Sequence, residues 1–418
     1  MNLKKSSLLI AVSYIIKIAS GLIINKLLAV FVGPTGIAII WQFRSFVQMM
    51  TTLSTGGVNS GVVKLIASNK DSNRQEVIKI KNLSLSITLV CSIFLSIVIF
   101  AFDESLGRYL FSTGEYVLYI DIFAISLILF SLNQILIFFI NGENNTRLYT
   151  VINIMQSIVV LILSVFFVIL YKLEGALLVV GISQILISFV SLYYVHKNNI
   201  FSFKNFSFLL KNEHINILFK YALVTFVNAI SVALSLILIR NIMTEKFGLE
   251  QTGLWQSVWN IGEVYLGFVT MLLSVHFYPK IASLINQKDA LLAEVKKITL
   301  FVVAISFMII ITTFFFKKWI VLILYSESFL ESLFFFKYQL IGDFFKIVSW
   351  IFGYYMLSVA AIKPIIIATI LSSLAFVMLT DFFTTHYGIL GVNYAYTLVY
   401  LTYLIFTFLY FRRDFERK

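Results

Sequence analysis

The sequence predicts an all-α membrane protein with about 12 transmembrane helices in two pseudo-symmetric six-helix bundles. Three observations carry this prediction. Hydrophobic residues make up 60% of the 418 residues and charged residues only 12%, apolar runs recur along the whole chain, and the second half echoes the first. Soluble proteins carry about 25% charged residues, so this chain has too few to cover a water-facing surface.

The apolar runs are each roughly 20 residues long, which is the length that a helix needs to cross the hydrocarbon core. The first run contains Lys17 and has no small-residue cleavage site, so we expect a membrane helix there instead of a signal peptide. The three prolines, Pro34, Pro279 and Pro364, all fall at the ends of runs, where proline is tolerated. The predicted spans lie near residues 7–32, 35–63, 83–102, 117–141, 148–170, 174–195, 217–240, 251–277, 297–316, 335–360, 363–384 and 389–411.

The orientation follows from the basic residues of the loops, which are enriched on the cytoplasmic side of a membrane protein. With the N-terminus inside, nineteen Lys and Arg residues fall in inside segments and five in outside loops. We therefore predict that both termini are cytoplasmic. The net charge of +12 is explained mostly by this bias, so we expect no nucleic-acid partner.

An internal repeat divides the chain into two halves. Four short matches recur in the same order at an offset of 216 to 218 residues; one of them pairs residues 171–175 with 387–391. The predicted organisation is an N-terminal six-helix bundle over 1–195, a polar cytoplasmic linker over 196–216 and a C-terminal six-helix bundle over 217–418. An even number of helices per half makes the repeats parallel, and such bundles rock about a site between them.

Basic residues lie where the bilayer makes charge costly. Lys17 and Lys26 fall in helix 1, Arg44 in helix 2 and Arg240 near the outer end of helix 7. Each costs ~2.5–3.5 kcal/mol at a helix centre. Arg240 lies about as far up its helix as Lys26, so the two can face each other across the pseudo-axis. A pyrophosphate fits this group, since Arg offers a bidentate fork and Lys a mobile point charge.

Other interpretations of these cations stay open. Lys26 and Arg240 lie near helix ends and can snorkel to the outer interface, and a structural role is the alternative for Lys17 and Arg44. Lys17 and Lys26 are nine residues apart, or half a turn out of phase, so a kink at Gly21 would be needed to aim both inward.

Acidic residues inside the spans are fewer, namely Glu263 in helix 8 and Asp343 in helix 10. Asp343 has Lys346 three positions on, a spacing that permits an ion pair on one helix face; a structural pair is the favoured interpretation. Glu263, beside Asn260, is either a proton or ion site or a satisfied interhelical contact. Glu263, Asp343 and Lys346 are thus candidates for coupling or gating. Because intramembrane cations outnumber the acids, the sequence predicts an anionic cargo.

Enzyme chemistry is hard to find in this sequence. It has no Gly-x-x-x-x-Gly-Lys phosphate loop, and its four histidines have no metal-ligand spacing. The outer loops are at most about 15 residues long, too short for a catalytic domain. We expect a transporter with no catalytic residues, no cofactor and no metal.

Several short motifs are spread along the chain. They are Lys17-Ile18, Gly21-Leu22, Lys26-Leu27-Leu28-Ala29-Val30, Gly33-Pro34-x-Gly36, Phe43-Arg44, Gly253-Leu254-Trp255-Gln256, Tyr265-Leu266, Gln339-Leu340-Ile341-Gly342-Asp343-x-x-Lys346 and Phe352-Gly353-Tyr354. Together they resemble the bacterial flippases for O-antigen and enterobacterial common antigen lipid-linked oligosaccharides, and the resemblance covers essentially the whole chain.

This resemblance places the chain in the multidrug/oligosaccharidyl-lipid/polysaccharide (MATE-like) exporter superfamily. It implies a cationic cavity for the pyrophosphate and sugars of an undecaprenyl-pyrophosphate-linked glycan, while the polyprenyl tail stays among the membrane lipids. Lys17, Lys26, Arg44 and Arg240 stand where the family keeps basic residues, and Asp343 and Lys346 stand in its helix 10 motif. A bacterial inner-membrane flippase is expected, with a downstream glycan polymerase and chain-length regulator as protein partners.

Two other functions remain as alternatives. A cation-coupled multidrug exporter of the same superfamily would favour intramembrane acids over basic residues. A membrane glycan polymerase or ligase would need a sizeable outer loop. Two energy sources for transport also remain as alternatives, the membrane potential and a proton carried by Glu263 or Asp343.

Overall fold

A computed structural model describes residues 3–70, 73–111, 114–209 and 213–417. These residues form thirteen α-helices with no strand. Two of the nineteen basic residues predicted to be cytoplasmic, Lys211 and Lys418, lie outside the described ranges, as do residues 210–212 of the predicted linker. The helices are α1 (Leu3–Phe31), α2 (Gly33–Ser54), α3 (Asn59–Asn69), α4 (Arg74–Ala101), α5 (Asp103–Phe111), α6 (Val117–Gly142), α7 (Thr146–Lys197), α8 (Ile215–Leu272), α9 (Tyr278–Leu284), α10 (Lys288–Leu324), α11 (Phe336–Ser358), α12 (Ile362–Tyr387) and α13 (Gly391–Arg417).

Eight stretches in the described part of the chain are long and apolar enough to cross a membrane. Three of them contain 52, 58 and 55 residues, so at ~1.5 Å per residue each is long enough to cross twice. The first of these breaks at Lys172 and the second at Gly248, while the third comprises α12 and α13. Together with the 22-residue α2, these helices provide the twelve passes predicted from the sequence.

The helix ends follow the local sequence. Each proline lies within the first three residues of a helix, Pro34 in α2, Pro279 in α9 and Pro364 in α12. For Pro34 and Pro364, at the start of a helix, the missing N–H costs no helical hydrogen bond, whereas Pro279 lies just after the π-helical turn 273–277. Asn73 and Asn145 cap α4 and α7, since each side chain accepts a hydrogen bond from a backbone N–H three residues on.

The internal repeat is visible in two hairpins with matching backbones. Lys172 (φ 49°) ends the first segment of α7, and Gly388 (φ 67°), 216 residues later, ends α12. Three residues after each, a glycine meets the preceding segment: a Cβ at Gly175 would overlap the Phe167 carbonyl oxygen, and one at Gly391 the Phe383 carbonyl. Both halves thus turn back with the same close approach, which only glycine permits.

The chain forms two compact units. Unit 1 comprises Met1–Val32 and Ile39–Leu234, and unit 2 comprises Gly33–Ala38 and Ser235–Lys418. The apolar core of unit 1 is formed where α3, α4, α6 and the segment around Ile200 and Phe201 pack together. The core of unit 2 is formed by α8, α10, α11 and α13.

The segment after α7 is bound to unit 1 by polar side chains from α4. The buried Lys81 ammonium donates to the Ile200 carbonyl at 2.7 Å and to the Glu143 carboxylate. Asn82 donates to Ser207 at 3.0 Å, and the Ser86 hydroxyl accepts from the Leu209 N–H at 3.0 Å. Most of the predicted linker is therefore held against unit 1.

Candidate functional site

Unit 1 contains a cavity of about 720 Å³ lined by α1, α2, α6 and both segments of α7. This volume lies within the ~300–1,000 Å³ range of small-molecule sites. α1 contributes one stripe, Lys17, Ser20, Gly21 and Ile24, at the i, i+3, i+4, i+7 spacing of one helix face. α2 contributes a similar stripe that begins at Arg44. The helical periodicity of the sequence thus determines which side chains reach the cavity.

Two of the predicted cations line this cavity. Lys17 is exposed and Arg44 is half-buried, with its guanidinium 5.0 Å from the centre of the Trp41 ring. They are the only side chains of Lys, Arg, Asp or Glu among the described lining residues, so the described lining contains no carboxylate. The ring face of Trp41 stabilises the guanidinium. The cavity therefore has a positive wall.

Lys26 lies elsewhere on α1. The helix is continuous through Gly21, and the cavity is lined by Lys17 but not by Lys26. This agrees with the phase argument, since residues nine apart lie on opposite faces of one helix. Lys26 is half-buried. The expectation that Lys26 and Arg240 face each other stays a prediction.

Arg240 belongs to unit 2 and is 2% exposed. Its Nε donates to Gln256 Oε1 at 2.7 Å, and the Gln256 amide donates to Asn260 Oδ1 at 2.7 Å. In this conformation the guanidinium takes part in a buried polar chain of α8. Binding of a cargo phosphate by Arg240 stays a prediction, and it would require this chain to open.

Asp343 is fully buried in unit 2 and its carboxylate is surrounded by donors. The Tyr265 hydroxyl donates to Oδ2, the Tyr396 hydroxyl to Oδ1 at 2.6 Å, and the Gln339 amide to Oδ1 at 3.4 Å. Three donors suit an ionised carboxylate, which only accepts hydrogen bonds. The side chain is thus satisfied within the unit.

Lys346 is paired with Glu263. Its Nζ lies 3.6 Å from Glu263 Oε1, whereas the Asp343 carboxylate accepts from the two tyrosines. The ammonium is also 5.1–5.8 Å from the centres of four rings, namely Trp259, Trp350, Tyr396 and Tyr400. Glu263 itself is 53% exposed along its side chain. The three candidate coupling residues therefore lie together, with Glu263 as the accessible member.

Uncharged polar residues of the cavity were missed by the sequence reasoning, which followed charges only. Amide and hydroxyl side chains outnumber the cations in the lining; they include Gln48, Gln134, Asn153, Gln156 and Gln184. The available signal was periodicity, because Arg44 and Gln48 are four residues apart, as are Asn153 and Ser157. Polar residues repeating on one face of an apolar span indicate a cavity-facing stripe.

One cluster of acidic residues and histidine lies outside this cavity. His214 Nε2 is 2.7 Å from Glu76 Oε1, and Glu76 Oε2 is 3.1 Å from Lys79 Nζ. Glu213 is close enough to complete a three-ligand set. Because the Lys79 ammonium competes with a cation for the same carboxylate, we interpret this cluster as a surface ion-pair network.

Comparison with known proteins gives consistent results. The family model described as "Polysaccharide biosynthesis protein" matches residues 3–285. The Lipid III flippases of Escherichia coli (strain K12) and Shigella flexneri are each 25% identical over 406 residues, covering 96% of both chains.

Solved structures show the same fold. An inward-facing multidrug-resistance MATE family transporter of the MOP superfamily superposes with a TM-score of 0.80 at 14% identity, covering 97% of this chain and 98% of the other. A MOP superfamily transporter from Pyrococcus furiosus, described as having a binding pocket of reverse polarity, superposes with a TM-score of 0.73 at 16% identity, covering 99% of this chain and 96% of the other. At these identities the likeness shows the fold, which is that of the MATE transporters.

Proposed function

The chain belongs to the polysaccharide biosynthesis protein family and is a membrane transporter, and from this premise we propose that it flips an undecaprenyl-pyrophosphate-linked oligosaccharide. The cargo is an O-antigen or enterobacterial common antigen repeat unit, moved from the cytoplasmic to the periplasmic leaflet of the bacterial inner membrane. The Lipid III flippases, at 25% identity over nearly the whole chain, support a lipid-linked glycan as the class of cargo.

The observation that carries the proposal is the positive wall formed by Lys17 and Arg44 in a cavity where no described lining residue is a carboxylate. A cation within a span costs several kcal/mol unless it is paired or hydrated. Among the described residues no protein group pairs with the Lys17 ammonium. A cargo with two linked phosphates supplies the missing negative charge, and the Arg44 fork can bind its oxygens in a bidentate manner.

The same wall disfavours the multidrug exporter alternative. Cationic drugs would be repelled by Lys17 and Arg44, and the described lining contains no acid to attract them. Like-charge contacts of this kind are a common means of rejecting a wrong ligand. The same two positive charges attract an anionic lipid.

Movement of the cargo requires that its affinity differ between two conformations. The inside-negative membrane potential favours outward movement of an anionic head group, at about 2.3 kcal/mol per charge per 100 mV. Glu263 and Lys346 offer a second drive, because a proton on the accessible Glu263 would break the 3.6 Å ion pair. The proposed orientation has both termini on the cytoplasmic side, as the loop charges predict.

The test is complementation of a bacterial strain that lacks its own O-antigen or common-antigen flippase. We expect the wild-type chain to restore surface glycan. Lys17→Gln and Arg44→Gln should each lower the restored glycan at least tenfold at an unchanged protein level. Lys280→Gln, which removes an exposed charge of α9 outside the cavity, serves as the matched control and should restore fully. Full restoration by both cavity variants would contradict the pyrophosphate assignment.

A further inference from the structure

The uncharged part of the cavity wall has its own chemistry. Three glutamines, Gln48 on α2, Gln134 on α6 and Gln156 on α7, come from separate helices and line the same space. In the part of the chain that the structure describes, no protein group hydrogen-bonds these three side-chain amides. Each amide offers two donors and one acceptor. The wall therefore presents at least nine free hydrogen-bonding positions to whatever occupies the cavity.

Neighbouring polar residues are already committed to the protein. The hydroxyls of Thr51 and Ser157 donate to the carbonyls of Val47 and Asn153, at 2.7 and 3.0 Å. Gln184 accepts from Asn133 at 2.7 Å. These side chains satisfy their own helices or fix a neighbour, as polar residues within a membrane span are expected to do. The three glutamines differ from them, because no described protein group hydrogen-bonds their side-chain amides.

The position of Gln48 relates these amides to the cations. It follows Arg44 by four residues on α2, so the two side chains lie on one face about 6 Å apart along the helix. In a lipid-linked glycan the first sugar is bonded directly to the outer phosphate. A group that recognises that sugar must lie about one helical turn from the group that binds the phosphate, and Gln48 meets this requirement.

Sugars match a wall of this composition. A hexose presents several hydroxyls, and an amino sugar adds an N-acyl amide, all of which both donate and accept. Phe130 and Phe138 line the same cavity and offer flat apolar surfaces to the C–H faces of a sugar ring. A site that hydrogen-bonds a substrate group discriminates strongly against analogues that lack the group, because the polar side chains of the site are then left unpaired. Such a wall gives selectivity that two cations alone do not.

We infer that Gln48, Gln134 and Gln156 form a sugar-recognition subsite that reads the hydroxyl and N-acyl groups of the first sugar next to the pyrophosphate. The inference rests on the proposed function, since it takes Lys17 and Arg44 as the phosphate-binding part. Affinity for the carrier then comes from the cations, and discrimination among glycans comes from the glutamines.

The test is a binding measurement on the full-length protein in nanodiscs with three lipids. These are undecaprenyl pyrophosphate without sugar, the same lipid bearing one hexose, and the same lipid bearing one N-acetylhexosamine. The wild type should bind at least one sugar-bearing lipid tenfold or more tightly than the bare lipid. Gln134→Met and Gln156→Met, which keep side-chain volume, should reduce that ratio to about one and leave the bare-lipid affinity unchanged. Gln75→Met, at an exposed position of α4, is the matched control.

The outcomes separate the two proposals. A wild type that binds all three lipids equally, or methionine variants that keep the tenfold ratio, would overturn the sugar subsite. The bare-lipid affinity also reports that each variant is folded. Loss of affinity for all three lipids in Arg44→Gln and Lys17→Gln supports the phosphate assignment. If these two variants bind the bare lipid as the wild type does, the proposed function loses its main support, whereas the sugar-to-bare ratio still judges the subsite.

Discussion

Two predicted cations of unit 1 have surroundings opposite to those of Arg240 and Asp343 in unit 2. In unit 1, Lys17 and Arg44 line a cavity whose described lining contains no carboxylate. In unit 2, Arg240 is bonded to Gln256, and Asp343 is surrounded by two tyrosines and a glutamine. The exposed Lys17 is available to a ligand, whereas a charge enclosed by its own hydrogen bonds mainly holds the fold together. The difference teaches that intramembrane charge alone does not identify a binding residue.

The largest expected effect comes from removing one cation in each unit. Lys17→Gln should lower transport by a factor of ten or more and leave the melting temperature within a degree of the wild type, because the Lys17 side chain is exposed and faces the cavity. Arg240→Gln should instead lower the melting temperature by several degrees, since hydrogen bonds to buried charged groups contribute about 1.5–3 kcal/mol. Glycan restoration and thermal unfolding in detergent, measured on both variants, check this. The comparison fails if Arg240→Gln loses transport at an unchanged melting temperature.

A second effect is expected at Asp343. Asp343→Asn replaces an acceptor-only carboxylate by an amide whose NH₂ group faces the tyrosine hydroxyls. At least one donor is then left without an acceptor, at a cost of about 1–3 kcal/mol. Detergent-solubilised Asp343→Asn should unfold at a lower temperature than the wild type. Restoration of its stability by a second change, Tyr396→Phe, which removes the opposing donor, would support this reason; a stable single variant would argue against it.

A smaller effect on stability is expected at Glu263. The side chain is 53% exposed and its ion pair with Lys346 spans 3.6 Å. Glu263→Gln should therefore change the free energy of unfolding by less than about 1 kcal/mol, which is seen as a small shift of the melting temperature. If this pair is used in coupling, the variant should lose the dependence of transport on the proton gradient while keeping binding of the bare lipid. Transport into vesicles with and without an imposed pH gradient distinguishes the cases. An unchanged gradient dependence would assign the drive to the membrane potential.

The last effect concerns stability alone, at the paired hairpins of the two halves. Lys172 has a left-handed φ of 49° where its counterpart Gly388 has 67°. With a ψ of −121°, Lys172 lies in a sparsely populated region of backbone conformation that costs a residue with a side chain about 1–3 kcal/mol. Lys172→Gly should therefore raise the melting temperature slightly, and Gly388→Ala should lower it by a similar amount. Shifts of the same sign in the two variants would show that the hairpins are not equivalent.

Much of the architecture was predictable from local sequence. The apolar runs, the placement of Pro34, Pro279 and Pro364, and the offset between residues 171–175 and 387–391 predicted twelve passes and a repeat, and the structure confirms these features. The breaks at Lys172 and Gly248 lie where the outer loops were predicted. The boundaries of the two bundles and the cytoplasmic side of the termini stay predictions.

The candidate site was only partly predictable. The sequence found Lys17 and Arg44 because a charge within an apolar run is conspicuous, but it gave the same weight to Lys26 and Arg240. It missed Gln48, Gln134 and Gln156, because an isolated amide in a span is ordinary for helix contacts. Which side chains converge depends on how α1, α2, α6 and α7 pack, and these segments are far apart in the chain.

By itself the sequence determined that this protein spans a membrane repeatedly as two related halves. The reason is that the hydrocarbon core imposes helix length and apolarity on every span independently of its neighbours. Only the tertiary structure decided which intramembrane charges face a cavity and which are enclosed. That distinction depends on helix rotation and on partners from distant segments, such as Tyr396 for Asp343, and neither is encoded in any single span.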